Sequence, residues 1–153
     1  EGVKYFPLFW DTTFTMRGVM GYVQGLDGKS IPVYERFFLG GINTIRGFRT
    51  RSIGPKDSAT NEVIGGDTEV FTNLEYLFPL VPEQMVKGLI FFDAGNAYIS
   101  GLDLDDLDLR ASAGLGIRWF SPVGPLRLEW GYVLDRREGE DSSQWEFTIG
   151  TAF

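Results

Sequence analysis

The chain has 153 residues, including 20 glycines and 23 aromatic side chains (13 Phe, 6 Tyr and 4 Trp), and it contains no cysteine or histidine. These absences exclude disulfides, metal sites built on Cys or His, and catalytic triads that use His. The net charge of -7 argues against a nucleic-acid-binding surface, and no apolar run reaches the roughly 18 residues that a transmembrane helix needs.

Alternation of apolar and polar residues predicts β-strands along most of the chain. In chain order, the pattern predicts the end of one strand at residues 3 to 9 and further strands at 13 to 23, 68 to 78, 86 to 98, 109 to 120, 126 to 132 and 145 to 153. In the strand from Leu109, the side chains of Leu115 and Ile117 share one face, whereas Gly116 and Arg118 share the other.

The predicted connections alternate between short and long. The short ones are at 10 to 12, 79 to 85 and 121 to 125, and the long ones are at 24 to 67, 99 to 108 and 135 to 143. This alternation is typical of outer-membrane barrels, and it predicts that the C terminus lies on the periplasmic side. The acidic run from Asp103 to Asp108 lacks the glycine and final glutamate of an EF-hand, so we predict a solvated external loop there.

Half-apolar strands fit either a soluble sandwich with an apolar core or a membrane barrel with an apolar outside. Most of the predicted strands run to about 9 to 12 residues, the length that a tilted strand needs to cross a bilayer. Aromatic residues gather near strand ends, as at an interfacial belt: Tyr76, Phe78, Trp119, Trp130, Tyr132, Trp145 and Phe153. The polar faces mix glycines with charged residues, which suits a wet or loop-filled lumen. The sequence therefore predicts an all-β, antiparallel transmembrane barrel.

The number of strands predicts that this barrel extends beyond the chain. Six full strands and part of a seventh would leave two sheet edges in lipid, where each unpaired backbone group costs several kcal/mol. The smallest barrels of this class have about eight strands. We therefore interpret residues 1–153 as the C-terminal part of a larger barrel.

The long loop at 24 to 67 is too apolar for a solvated connection, because Phe37, Phe38, Leu39, Ile42 and Ile45 lie within it. We expect this loop to fold back onto the inside of the sheet and to carry Arg46 with it. Long structured loops are usually functional, which makes Arg46 the central candidate residue.

Several motifs in this chain resemble those of the Omp85 superfamily. The segment from Tyr34 to Gly41, followed by Ile45-Arg46-Gly47-Phe48, resembles that family's loop-six signature, and Phe91-Phe92-Asp93-Ala94-Gly95-Asn96 is similar to its second barrel motif. The segment from Trp119 to Leu126 and the closing segment from Gln144 to Phe153 resemble the C-terminal end of the family's outer-membrane assembly factors.

The resemblance implies a barrel of about sixteen strands, of the bacterial surface antigen type, in the outer membrane of a Gram-negative bacterium. The implied function is the folding and insertion of β-barrel proteins into that membrane, without a chemical reaction or a cofactor. The implied partners are the lipid bilayer, unfolded barrel clients, and accessory lipoproteins that bind through upstream domains.

The resemblance also implies roles for particular residues. The loop-six motif is Ile45, Arg46, Gly47 and Phe48, with Asp93 and Glu75 as the partners of Arg46 in the lumen, and the second motif is marked by Phe91, Asp93 and Gly95. The last strand would form one side of a lateral gate through Trp145, Phe147, Ile149, Gly150 and Phe153, next to the barrel's first strand. Two alternatives remain open: a secretion translocator of the same family and a passive porin. Asp93 and Glu75 also suggest a carboxylate pair for glycoside hydrolysis, but the sequence indicates no substrate cleft that would support it.

Overall fold

A computed structural model of the chain describes residues 1–25, 30–99, 107–122 and 124–150. These residues form seven strands: β1 (Gly2–Pro7), β2 (Thr13–Tyr22), β3 (Thr68–Val81), β4 (Val86–Tyr98), β5 (Arg110–Ser121), β6 (Gly124–Val133) and β7 (Ser143–Ile149). Each strand pairs antiparallel with the next, in the order β1 to β7. The prediction of an all-β antiparallel sheet, with one short and six longer strands, is confirmed. No helix in the described residues is long and apolar enough to cross a membrane.

The outer face of the sheet is apolar and its inner face is polar, which is the reverse of the arrangement in a soluble sandwich. Large apolar side chains point outward and are exposed: Met16, Met20, Ile90, Phe92, Leu115, Ile117, Leu128, Trp145, Phe147 and Ile149. Polar and charged side chains point to the inner side and are buried: Thr15, Asn73, Asp93, Ser112, Arg118, Arg127 and Glu129. This alternation of apolar and polar side chains fixes the register in which the antiparallel strands pair, because a slip of one residue would exchange the two faces.

Short and long connections alternate along the sheet, as predicted. The short ones are residues 8–12, 82–85 and 122–123, and the long ones are 23–67, 99–109 and 134–142. Of the acidic run, Asp103, Asp105 and Asp106 lie outside the described residues. Asp108 is described, and its carboxylate forms an exposed ion pair with Arg137.

The last strand is shorter than the sequence pattern indicated. It ends at Ile149, and Gly150 follows it with a φ of 76°. Trp145, Phe147 and Ile149 all point outward, each about 60% exposed. Phe153 lies outside the described residues.

The long loop between β2 and β3 lies against the inner face of the sheet. Isolated bridges pair Phe37 with Gly66 and Leu39 with Ile53, so the loop has a backbone framework of its own. Its buried apolar side chains pack against two residues of the sheet, and the resulting cluster consists of Leu39, Ile45, Phe48, Ile53, Phe71 and Val133. The loop therefore brings its own small apolar core to an otherwise polar surface.

Candidate functional site: the arginine of the long loop

Arg46 occupies the centre of the inner face and is only 2% exposed. Its guanidinium donates two hydrogen bonds to Asp93, from Nε to Oδ2 and from Nη2 to Oδ1, each 2.7 Å long. From Nη1 it donates to Glu75 Oε1 at 2.6 Å and to Glu129 Oε2 at 2.8 Å. Four of the five N–H donors of a guanidinium are thus bound to carboxylates, and the Asp93 contact has the paired geometry that makes such bonds strong.

The carboxylates come from three different strands. Glu75 lies on β3, Asp93 on β4 and Glu129 on β6, all on the inward parity of their strands. The Asp93 side chain is fully buried, and Asn73 on β3 donates to its Oδ1 at 2.8 Å. The backbone N–H of Arg46 also donates to Asp93 Oδ2 at 3.0 Å. Asp93 therefore fixes both the side chain and the backbone of the loop at this point.

Two more arginines complete a charge-balanced cluster, which we call the arginine network: Arg46, Arg118 and Arg127 with Glu75, Asp93 and Glu129. Arg118 donates to both oxygens of Glu75, at 2.9 and 2.6 Å, and to Glu129 at 2.9 Å. Arg127 donates to both oxygens of Glu129, at 3.0 and 3.1 Å. Because every buried charge of this network has a bonded partner of opposite sign, removal of one member would leave an uncompensated charge.

An aromatic ring supports the face of the central guanidinium. The Cζ of Arg46 lies 3.7 Å from the ring centroid of Phe91, a distance typical of a cation–π contact. Phe91 is buried on the inner face of β4, two residues before Asp93. One strand thus supplies both the stacking surface and the paired carboxylate that Arg46 binds.

The tip of the loop, residues 42 to 44, is held through its backbone carbonyls. Arg127 on β6 donates to the carbonyl of Ile42 at 3.3 Å. Arg17 on β2 donates to that of Asn43 at 2.9 Å, and Asn73 on β3 donates to that of Thr44 at 2.6 Å. Three strands therefore bind three successive carbonyls, which gives these backbone groups hydrogen-bond partners and fixes the tip of the loop on the sheet.

The backbone of the loop touches the sheet directly at Gly47. Its φ of 85° is in the left-handed region that favours glycine, and a Cβ built on it would lie 2.8 Å from the carbonyl carbon of Gly131 on β6. A Cβ at Gly131 would in turn lie 2.5 Å from the nitrogen of Gly47. The close approach therefore requires glycine on both sides of the contact.

The remaining residues of the two motifs line the same region. Ile45 and Phe48 are buried in the loop's apolar cluster on either side of Arg46 and Gly47. Gly95 pairs with Phe71 across β3 and β4, and a Cβ at Gly95 would collide with the Phe71 side chain. The glycine thus permits the close approach of β3 at Phe71, the residue on which the loop packs. Trp145, Phe147 and Ile149 lie on the opposite, outward face, away from the arginine network.

Sequence reasoning singled out Asp93 and Glu75 but missed Glu129, which binds all three arginines of the network. Alternation along β6 puts Glu129 on the same face as Arg127, two residues before it, but does not indicate which carboxylates meet Arg46. The signal that could have found it is the inward parity that it shares with Asp93 and Glu75 on nearby strands. Gly131 shares that parity as well.

An antiparallel sheet with an apolar outer face, and with a charged inner face filled by a loop, defines a segment of an outer-membrane type of β-barrel. The model of the Omp85 superfamily domain matches residues 1–153. The chain belongs to the Omp85 superfamily.

Comparisons with individual proteins agree with this assignment. The chain is 43% identical over 126 residues to the outer membrane protein assembly factor BamA of Nitratidesulfovibrio vulgaris, covering 80% of this chain and 16% of the relative. It is 28% identical over 181 residues to BamA of Neisseria meningitidis serogroup B, covering 97% of this chain and 23% of that protein.

A solved structure shares the fold. The crystal structure of BamA from Haemophilus ducreyi lacking POTRA domains 1-3 superposes with a TM-score of 0.82 at 27% identity, over 96% of this chain and 33% of that one. The chain thus spans about a third of that structure and less than a quarter of the two curated relatives.

Proposed function

We propose that this chain is the C-terminal part of the barrel of a BamA-type assembly factor, residues 1–153 with the long loop folded into the lumen. The complete protein folds β-barrel clients and inserts them into the outer membrane of a Gram-negative bacterium. The observation that carries this proposal is the network that binds Arg46 to Asp93, Glu75 and Glu129, within a sheet similar to part of a BamA barrel.

The chemistry of the network supports a mechanical role and argues against catalysis. Each carboxylate of Glu75, Asp93 and Glu129 accepts hydrogen bonds from at least one arginine. A glycoside hydrolase needs one carboxyl group free to donate a proton and another free to act as base or nucleophile. Arginine is permanently protonated and does not serve as an acid or base at neutral pH. The arrangement is suited to holding a loop in one position.

The last strand supplies the proposed insertion site. Within the described residues β7 pairs with β6 alone, so its other backbone edge can accept a further strand. In the complete barrel this edge pairs weakly with the first strand, and an incoming client strand replaces that pairing by edge-to-edge addition. Trp145, Phe147 and Ile149 face the lipid beside this seam, and Gly150 follows directly after the strand.

The complete protein has three kinds of partner in this proposal. The outer apolar face contacts the lipid bilayer, the β7 edge contacts unfolded outer-membrane β-barrel clients, and upstream domains bind Bam-type accessory lipoproteins. The short connections and the C terminus lie on the periplasmic side, whereas the long loops begin on the external side.

The test uses the full-length protein in liposomes, with an unfolded outer-membrane barrel protein added from denaturant. Faster folding of this client than in protein-free liposomes supports an assembly factor. Ion conductance without faster folding would overturn the proposal in favour of a translocator or a porin. A crosslink between cysteines placed in β7 and in the first strand should abolish the acceleration, and unchanged folding would remove the gate mechanism.

A further inference from the structure

Arg110, a buried arginine outside the arginine network, contacts the loop motif at the end of the sheet where the long loops begin. It is the first residue of β5 and is 3% exposed. Its guanidinium carbon lies 4.8 Å from the ring centroid of Phe48, the last residue of the loop motif. Phe48 is itself buried in the apolar cluster of the long loop. Arg110 thus covers the ring that follows Arg46 and Gly47 in the chain.

The other side of Arg110 is bound by the β6–β7 loop, residues 134–142. Its Nη1 and Nη2 donate to the two oxygens of Glu140, at 3.0 and 2.6 Å, and its Nε forms an ion pair with Asp135. Asp135 also accepts the backbone N–H of Ala111 at 2.9 Å, and Glu140 accepts that of Arg137 at 3.0 Å. These charge-assisted hydrogen bonds fix the β6–β7 loop in one conformation around the guanidinium. A flexible charge at the surface would not order the loop in this way.

A third contact joins the same two segments at the surface. Arg49, directly after Phe48, forms an exposed ion pair of 2.7 Å with Asp141, directly after Glu140. Gly47 touches Gly131 on β6, the strand from which the β6–β7 loop starts. Gly47, Phe48 and Arg49 are therefore attached to the β6–β7 hairpin by contacts additional to the Arg46–Glu129 ion pair of the arginine network.

We infer that Arg110 is a positioning residue that holds the Phe48 end of the loop motif to the β6–β7 loop, so that the last hairpin and the long loop move as one unit. Arg46 fixes the motif to inward-facing carboxylates of β3, β4 and β6, and Arg110 fixes the Phe48 end of the motif to the β6–β7 loop. The consequence for client insertion rests on the proposed function, because β7 is the proposed gate strand. The attachment itself rests on the contacts of Arg110 with Phe48 and Glu140, together with the Gly47–Gly131 and Arg49–Asp141 contacts.

The attachment can be measured by crosslinking in the full-length protein, in a background without other cysteines. Arg49→Cys and Asp141→Cys place two exposed thiols at the surface contact, and a short bismaleimide reports how often the segments are close. Loss of an exposed ion pair of this kind changes stability little. Arg110→Gln should slow crosslinking by roughly three- to thirtyfold, since it removes the charge that both Phe48 and Glu140 bind. Arg110→Lys should restore part of the rate.

The matched control is Arg137→Gln. Arg137 lies in the same β6–β7 loop and forms an ion pair with Asp108, but its guanidinium does not contact the loop motif in the described residues. This variant should crosslink at the unaltered rate. An equal loss in Arg137→Gln, or an unaltered rate in Arg110→Gln, would overturn the inference.

Folding must be separated from positioning. Each variant is checked by the heat-dependent shift in electrophoretic mobility of a folded barrel, and if Arg110→Gln does not fold, Glu140→Gln replaces it with the same expectation. Client folding is measured in parallel. Slower crosslinking with unaltered client folding supports the attachment and refutes its role in insertion, whereas failure of wild-type protein to fold clients refutes only the proposed function.

Discussion

Replacement of Arg46 by alanine should release the long loop from the inner face. The substitution removes four hydrogen bonds to carboxylates and leaves the fully buried Asp93 without a cation. Removing one partner of a buried ion pair costs about 3 to 5 kcal/mol, because the other charge remains unpaired. That energy corresponds to a shift of roughly a hundredfold to a few thousandfold in the equilibrium between docked and undocked loop.

Hydrogen exchange in the full-length protein measures this equilibrium directly. The amides of Leu39 and Ile53 are suitable probes, because each donates to the other's carbonyl inside the loop, at 3.0 and 2.9 Å. The exchange protection of these two amides should fall in Arg46→Ala by up to the factor by which the docking equilibrium shifts. The reason is that these amides exchange when the loop opens. Arg49→Ala is the matched control, since its exposed ion pair contributes at most about 1 kcal/mol.

A double-mutant cycle tests the assignment to one pair. Because Arg46→Ala and Asp93→Asn remove opposite charges of the same contact, the double variant should lose less protection than the sum of the single losses. Additive losses, or unaltered protection in Arg46→Ala, would refute the reasoning that buried charge pairing docks the loop.

Three further predictions concern single contacts. Gly131→Ala should undock Gly47 at a cost of about 1 to 3 kcal/mol, seen as loss of exchange protection, because its Cβ would lie 2.5 Å from the Gly47 nitrogen. Phe91→Leu should lower the same protection by about 0.5 to 2 kcal/mol, through loss of the stacked ring. The hydrogen bond from Arg110 holds the pKa of Glu140 below its ordinary value of 4.5, so the contact should persist at pH 4.5 and be lost only as the pH falls through the lowered pKa.

Controls and contrary outcomes differ among these three. Gly18→Ala, where a Cβ meets nothing within 4 Å, should leave protection unaltered, and an effect as large as that of Gly131→Ala would contradict the steric argument. If Phe91→Leu lost as much exchange protection as Arg46→Ala, the docking energy would come from the aromatic ring and not from the ion pairs. For Glu140, spin labels at Arg49→Cys and Asp141→Cys should stay close until below pH 4.5, and separation above that pH would contradict the sign of the shift.

The sheet was predictable because one physical requirement acts on every strand. One face must be apolar and the other polar, so side chains such as Ile117 and Arg118 in adjacent positions reveal both the strand and its orientation. The end of β7 was less predictable. The alternation of the sequence continues through Gly150 and beyond, whereas the strand ends at Ile149. Sequence alternation does not indicate a change of backbone conformation such as the positive φ of Gly150.

The site was predictable only in part. Motif resemblance pointed to Arg46, Asp93 and Glu75, which the structure brings together, although their role in assembly remains a prediction. The polar-inside pattern does not account for buried Phe91 and Phe71, which point inward because the long loop, rather than water, covers them. Their place depends on a contact between segments distant in sequence.

The β6–β7 loop was the largest omission. The alternation of connections predicts only a long external connection at 135 to 143 and assigns no partner to its acidic residues. Asp135 and Glu140 bind Arg110, whose guanidinium also lies over the ring of Phe48, some sixty residues before Arg110 in the chain. The local sequence of the β6–β7 loop does not indicate that Phe48 lies close to it.

The most direct test of the central claim is the rate at which the full-length protein folds a barrel client in liposomes, compared between wild type and Arg46→Ala. If the docked loop is required for insertion, client folding should slow by at least tenfold, while the variant itself remains folded and its loop loses exchange protection. Client folding at the wild-type rate, with the loop demonstrably released, would contradict the claim that the arginine network serves assembly.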